Sequence, residues 1–183
     1  MGKVVKVSES EKKYKLDKFQ KDSLWDREFI IYQWYDSVEK EKKTKLIIDL
    51  LSQTIKWVRV TKKRISNSES QKTVEYLSTG DVSIDDLVGQ QFVCKRRSLK
   101  GEISIDYFVR SNGLCQYLIE NEGESDMLDA FINVHNLSLE DVTDDYRYRN
   151  TNMTSVFSLQ DRDHLKFLLS ILYYPSQICN CTL

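Results

Sequence analysis

The chain has 183 residues, 40% of them hydrophobic and 30% charged, enough apolar material for one core in a soluble domain. With 27 Lys and Arg against 28 Asp and Glu the net charge is −1, and six glycines with one proline exclude collagen-like, linker-like and proline-rich classes. No apolar run approaches the about 20 residues of a membrane-spanning helix, and Met1-Gly-Lys-Val-Val-Lys6 lacks the apolar core of a signal peptide.

The balanced total conceals a gradient along the chain. Residues 1–64 carry 17 basic and 10 acidic side chains, a local charge of +7. Residues 65–121 carry 6 and 8, and residues 122–183 carry 4 and 10, a local charge of −6. Such asymmetry points to an electrostatic partner or to contact between copies of the chain.

In chain order, residues 1–21 are nearly half charged and read as a mobile basic arm, with residues 22–183 as one α+β domain. Ser23 with Asp26 resembles a capping box, and Trp25, Phe29 and Tyr32 fall at i, i+4, i+7, which predicts a first helix. Ile47, Leu50, Leu51, Thr54, Ile55 and Val58 follow the spacing of an amphipathic helix and predict a second. Ser66–Gln71 reads as a polar loop, and Ser83 with Asp86 caps a short turn that Gly89 ends. The period then changes to two. Gln91–Arg97, Glu102–Arg110 and Leu114–Glu120 read as a central three-stranded antiparallel meander, joined by Ser98–Gly101 and by an Asn112-Gly113 type I′ turn. Ser125 opens a helix through Phe131, Ser138 with Asp141 caps a shorter one, and Asp144–Asn152 is a polar loop. Ser158 with Asp161 caps a last helix through Leu172 that Pro175 stops. The expected fold is thus N-terminal helices, the meander, then C-terminal helices.

Catalytic signatures are sparse. The chain has no Gly-rich phosphate loop, no dinucleotide fingerprint and no H-E-x-x-H, so no catalytic, cofactor or metal site is assigned. Cys179-Asn-Cys181 lacks a second ligand pair at zinc spacing, and all four cysteines read as free thiols. His164 with Asp161 and Asp163 is the one cluster of imidazole and carboxylates, and its acids are explained by the positive end of a helix.

Binding features are richer. Lys56, Arg59, Lys62, Lys63 and Arg64 form one cationic cluster, and Lys95, Arg96 and Arg97 form another. Joined into a patch they would contact nucleic acid, nucleoprotein or an acidic protein. The leading expectation is therefore a non-enzymatic binding or assembly protein, with a small viral structural or accessory protein as its most concrete form. Two alternatives accompany it: an adaptor or inhibitor that uses an aromatic surface at Trp25, Tyr32, Trp34 and Tyr35, and a small enzyme centred on His164. The expected location is the cytoplasm, or the nucleus if Lys62-Lys63-Arg64 acts as an address. Head-to-tail self-association is a further expectation, anchored by Tyr173-Tyr174-Pro175 and Ile178.

Overall fold

The computed structural model describes residues 3–8, 12–18, 25–36, 42–64, 69–121, 125–135 and 137–173. Its elements in chain order are β1 (Lys3–Ser8), β2 (Lys12–Leu16), β3 (Arg27–Tyr35), β4 (Lys42–Asp49), β5 (Thr54–Arg64), β6 (Glu69–Leu77), β7 (Gln91–Lys100), β8 (Ile103–Arg110), β9 (Tyr117–Asn121), α1 (Ser125–His135), β10 (Leu139–Asp141), β11 (Ser155–Val156) and α2 (Leu159–Tyr173). Ten strands follow one antiparallel path, β1-β6-β5-β4-β3-β7-β8-β9-β2-β10, and β11 pairs with β7 beyond it. The expected fold is corrected: there are no N-terminal helices among the described residues, and the three meander strands are β7, β8 and β9 within one large sheet. The stretch read as a mobile arm contributes β1, on β6, and β2, between β9 and β10.

The two expected helices are strands because their apolar residues alternate across a sheet. On β4, Leu46 and Ile48 point to a buried layer while Lys43, Lys45, Ile47 and Asp49 take the other face. The turn after it places Gln53 at φ 53° and lets the Asp49 carboxylate accept from the N–H groups of Leu51 and Ser52. That turn separates two alternating strands by a distance that imitates helical spacing from Ile47 to Val58. β3 reads ambiguously because both its faces are covered: Trp34 is 1% exposed on one and Tyr35 4% on the other.

Two apolar layers cover the convex face. Trp34 packs among Trp57, Phe92 and Phe157, and α2 lays Leu165 and Leu169 on this group. α1 lays Leu128 and Phe131 over Leu16, Ile103, Ile105 and Ile119. The N-terminus of α2 has the expected capping box: the Asp161 N–H donates to Ser158 Oγ, and the Asp161 carboxylate accepts from the Ser158 N–H and hydroxyl. Arg110 then clamps Asp161 at 2.9 and 3.2 Å. It reaches α2 because the β7–β8 register slips: Cys94 faces Arg110 while Lys95 faces Phe108, so Val109 is an extra residue and turns Arg110 to the convex side.

Segment 142–153 folds into two short 3₁₀ turns and sends Val142, Tyr148 and Met153 against Tyr35, Val93, Phe108 and Leu118. It thereby covers one end of the concave face. Two local expectations change as well. The Ser138–Asp141 segment is a strand, because the edge of β2 offers it a row of backbone partners. Asn112 does not take a positive φ, so its turn is not type I′; its side chain instead accepts from Leu114 N–H and donates to the Asn152 carbonyl. Of the loop read over Ser66–Gln71, Glu69–Gln71 belong to β6, while its residues 66–68, like Ser23, Tyr174, Pro175, Ile178, Cys179 and Cys181, lie outside the described residues.

Candidate functional site

The concave face is a trough, and strand alternation fills its middle with charge. Lys43 and Lys45 come from β4, Lys62 from β5, Lys72 from β6, Lys95 and Arg97 from β7, Asp106 from β8, Glu120 from β9 and Lys13 from β2. Register aligns them: Lys43 faces Val60, Lys45 faces Val58, Lys62 faces Lys72, Arg97 faces Asp106 and Glu120 faces Lys13.

One flank of the trough is neutralised by a buried ion network. Asp106 is fully buried and accepts from Arg97 Nε and Nη2 at 2.6 and 2.7 Å and from Lys95 Nζ, whose side chain is 3% exposed. Glu120 accepts from Arg97 Nη2 and from Lys13 Nζ at 2.9 Å. Burial pushes the Glu120 carboxyl up, but Lys95, Arg97 and Lys13 outweigh it and hold the group ionised, well below the usual carboxylate range. Both acids are thus committed to cations.

The opposite flank is different. Lys43 and Lys45 are half-buried, and neither ammonium has a hydrogen-bond or ion-pair partner among the described residues. Burial, and then the nearby charges of Lys95, Lys72 and Lys62, bring Lys43 down to about 8, with Glu120 pulling the other way. Lys45 also falls well below its ordinary value, through burial and then Lys43, Lys95, Arg97 and Lys72. Like charges gathered in a partly desolvated cavity destabilise one another, so this flank carries an uncompensated positive surplus among the described residues.

The trough contains a groove of about 270 Å³ that Lys45, Lys56, Lys72 and Thr54 help to line. Phe29, Ile47, Val58, Val60 and Val74 line it, with Tyr76 at the rim and 70% exposed. Arg27 lies over the Phe29 ring at 4.7 Å and bonds Asp49 at 2.6 Å. The Arg27 guanidinium, with the backbone N–H of Ser52, holds the Asp49 carboxyl at about 2.

The structure divides the two cationic clusters read from sequence. Lys56 and Lys62 lie on the trough face of β5 with Val58 and Val60, whereas Arg59 and Lys63 fall on the alternate face, where Arg59 bonds Glu75 at 3.2 Å. Arg64 shares the backbone parity of Lys62. Lys95 and Arg97 enter the ion network, while Arg96 points away and bonds Glu28 at 3.1 Å. Lys13, Lys43, Lys45, Lys72, Asp106 and Glu120 were missed by sequence reasoning. The signal available for Lys43 and Lys45 was their alternation with Thr44 and Leu46, which reads equally well as an ordinary solvent face.

The aromatic surface proposed for an adaptor is core, since Trp34 and Tyr35 are buried. His164 is exposed on α2 with no bonding partner among the described residues, while Asp161 is engaged by Ser158 and Arg110, and Asp163 by Arg162. Among the described residues no group of three or more His, Cys, Asp or Glu is placed to hold a metal, and no helix is long and apolar enough to cross a membrane.

No protein-family model matches the chain, and no curated protein matches it. Solved structures do. One, titled the hypothetical protein NE1496, is 16% identical and covers 83% of this chain and 99% of its own, at a TM-score of 0.47. Another, titled the inorganic triphosphatase NE1496, is 17% identical and covers 78% of this chain and 94% of its own, also at 0.47. The expectation of a non-enzymatic viral protein that meets nucleic acid or an acidic partner through its basic half is corrected by the fold: its cations are split between two faces, and the inward ones line a trough closed at one end.

Proposed function

We propose that the trough binds a small, multiply charged phosphate anion and that the protein is a phosphohydrolase acting on its phosphoanhydride bond. The observation that carries this reading is the convergence of Lys43 and Lys45, without carboxylate partners among the described residues, on Lys72, Lys95 and Arg97. Asp106 and Glu120 offset part of the β7 charge, so the surplus lies on the β4 flank. A compact oligophosphate offers enough negative charge to relieve that repulsion at several positions at once.

In the reaction the oxygen of a water molecule bonds to the terminal phosphorus as the bridging P–O bond breaks. The electron pair stays on the departing phosphate oxygen, and the water's proton goes to solvent. Charge then builds on the leaving oxygen, where the fixed ammonium groups of Lys43 and Lys45 stabilise it. Lys43, with its pKa brought to about 8, is also suited to donate a proton to that oxygen near neutral pH.

The test is orthophosphate release from tripolyphosphate by the full chain, with magnesium or manganese supplied alongside the substrate. The expected result is turnover that Lys45→Met lowers by at least about 100-fold. Binding without turnover would reduce the proposal to an anion-binding protein. Absence of both binding and turnover would remove it.

A further inference from the structure

We infer that Lys45 is a covalent modification site: an acyl phosphate held by the cations of the groove transfers its acyl group to the Lys45 amine, and the amide so formed closes the trough to other phosphates. This rests on the trough being the phosphate site, and it adds how that site is switched off.

Transfer from an acyl phosphate to a lysine needs three things in one place: cations to hold the phosphate, an amine that is neutral part of the time, and a way in from solvent. The lysines of the trough differ in these. Lys95 is 3% exposed with its ammonium on Asp106, and Lys13 holds Glu120 at 2.9 Å. An ammonium bonded to a carboxylate keeps its proton, so neither presents a lone pair. Lys45 is half-buried, lines the groove of about 270 Å³, and has no hydrogen-bond or ion-pair partner among the described residues.

Its neighbours favour both the neutral amine and the incoming phosphate. Lys43 lies two residues away on the same face of β4, Lys56 and Lys72 line the same groove from β5 and β6, and Lys95 and Arg97 reach it electrostatically from β7. Across the β3 pairing stands Gln33, which is uncharged, and the groove's one described carboxylate, Asp49, is held by Arg27. Burial and these cations hold the Lys45 amine well below its ordinary value, so it is neutral more often than a surface lysine. The same cations are the anchors for a phosphate group.

In the step, the Lys45 nitrogen bonds to the carbonyl carbon and the bond from that carbon to the bridging oxygen breaks. The electron pair leaves on the phosphate oxygen, and the proton shed by the amine goes to that phosphate. The products are an amide and hydrogen phosphate, and no other reactant is consumed. The amide carries no charge, so the modified trough loses one of the cations that hold an oligophosphate. An acetyl group is small enough to need no pocket of its own.

The experiment is treatment of the full chain with acetyl phosphate at about pH 8, where an unperturbed lysine has only about one amine in 300 neutral, followed by peptide mass spectrometry. Lys45 is expected to be acetylated at least about tenfold faster than Lys63, which is exposed on the other face of β5. Saturating tripolyphosphate should slow Lys45 by at least about tenfold and leave Lys63 unchanged, because it occupies the same cations. Lys72→Met should slow labelling of Lys45 by acetyl phosphate more than labelling by acetic anhydride, which brings no phosphate to be held. Equal rates at Lys45 and Lys63, or the same selectivity with acetic anhydride, overturns the site and leaves tripolyphosphate turnover to stand by itself. So does labelling that bound tripolyphosphate fails to slow. If calorimetry shows that tripolyphosphate does not bind and Lys45 is not selected, both readings fall together.

Discussion

On the β7 side of the trough, Lys95 and Arg97 are bonded to Asp106 and Glu120, Lys95 closed off from solvent and Arg97 half-buried. On the β4 side, Lys43 and Lys45 present the same chemistry to the same cavity with no acid of their own among the described residues. The first arrangement resembles the inside of many proteins, where a buried charge is tolerated because its partner is buried with it. The second is costly in isolation, and a fold retains such a cost where a ligand relieves it. A partnered cation reports on how the protein is held together, and an unpartnered one on what it waits for.

The largest effect should come from breaking the partnered side. Asp106→Ala leaves the Lys95 ammonium buried at 3% exposure with its main acceptor gone, which should cost about 3–5 kcal/mol in chemical denaturation. Lys45→Met, on the unpartnered side, should leave the unliganded chain as stable as before or more so while abolishing phosphate binding. Equal destabilisation by both substitutions would erase the distinction between the flanks.

A smaller effect, but a more direct probe of the β4 side, is its response to pH. Lys43 titrates at about 8 in the folded chain and at 10.5 ordinarily. Below pH 8 both folded and unfolded chains hold the proton, and the penalty for the buried charge is fully present. Between pH 8 and 10.5 the unfolded chain keeps a proton that the folded chain has released, so stability rises with pH across that window. A bound anion favours the charged lysine, so its affinity should be complete below pH 8 and decline above it. Melting temperatures from about pH 7 to about pH 9.5 should therefore show this contribution rising without tripolyphosphate and falling with it, and Lys43→Met should weaken both trends, leaving the share of Lys45.

The smallest effect belongs to the convex face, where Arg59 and Glu75 are 38% and 48% exposed. Arg59→Ala should change stability by no more than about 0.5 kcal/mol and leave binding untouched. A large loss of phosphate affinity in this variant would mean that the sequence cluster acts as one patch after all.

The same contrast explains how much could be read from the sequence. β7 and β8 were legible because Ile103 and Ile105 alternate with Ser104 and Asp106 over a long run, and the α2 cap because Ser158 and Asp161 stand at the right spacing before a leucine-rich stretch. β4 and β5 were not, because a strand that turns lysines inward has the pattern of a strand that turns them to water. Lys43 and Lys45 look like solvent residues in any one-dimensional reading, and the short turn at Leu50–Gln53 then lets the remaining apolar residues pass for a helix face. The charged residues of the trough come from seven strands, β2 and β4 to β9, so no local window of sequence contains it.

The extra residue at Val109 makes the direction of Arg110 a property of the bulge rather than of its place in the sequence. Side-chain direction in a strand is a matter of odd and even, and Val109 inverts the count between Phe108 and Arg110. Were β8 to pair with β7 at its present length but without the bulge, Arg110 would fall on the face of Phe108, α2 would lose its clamp at Asp161, and a cation would join the trough face, where an uncompensated surplus already stands. A slip of register at this one point is thus a gain of positive charge on one face and a loss of anchorage on the other.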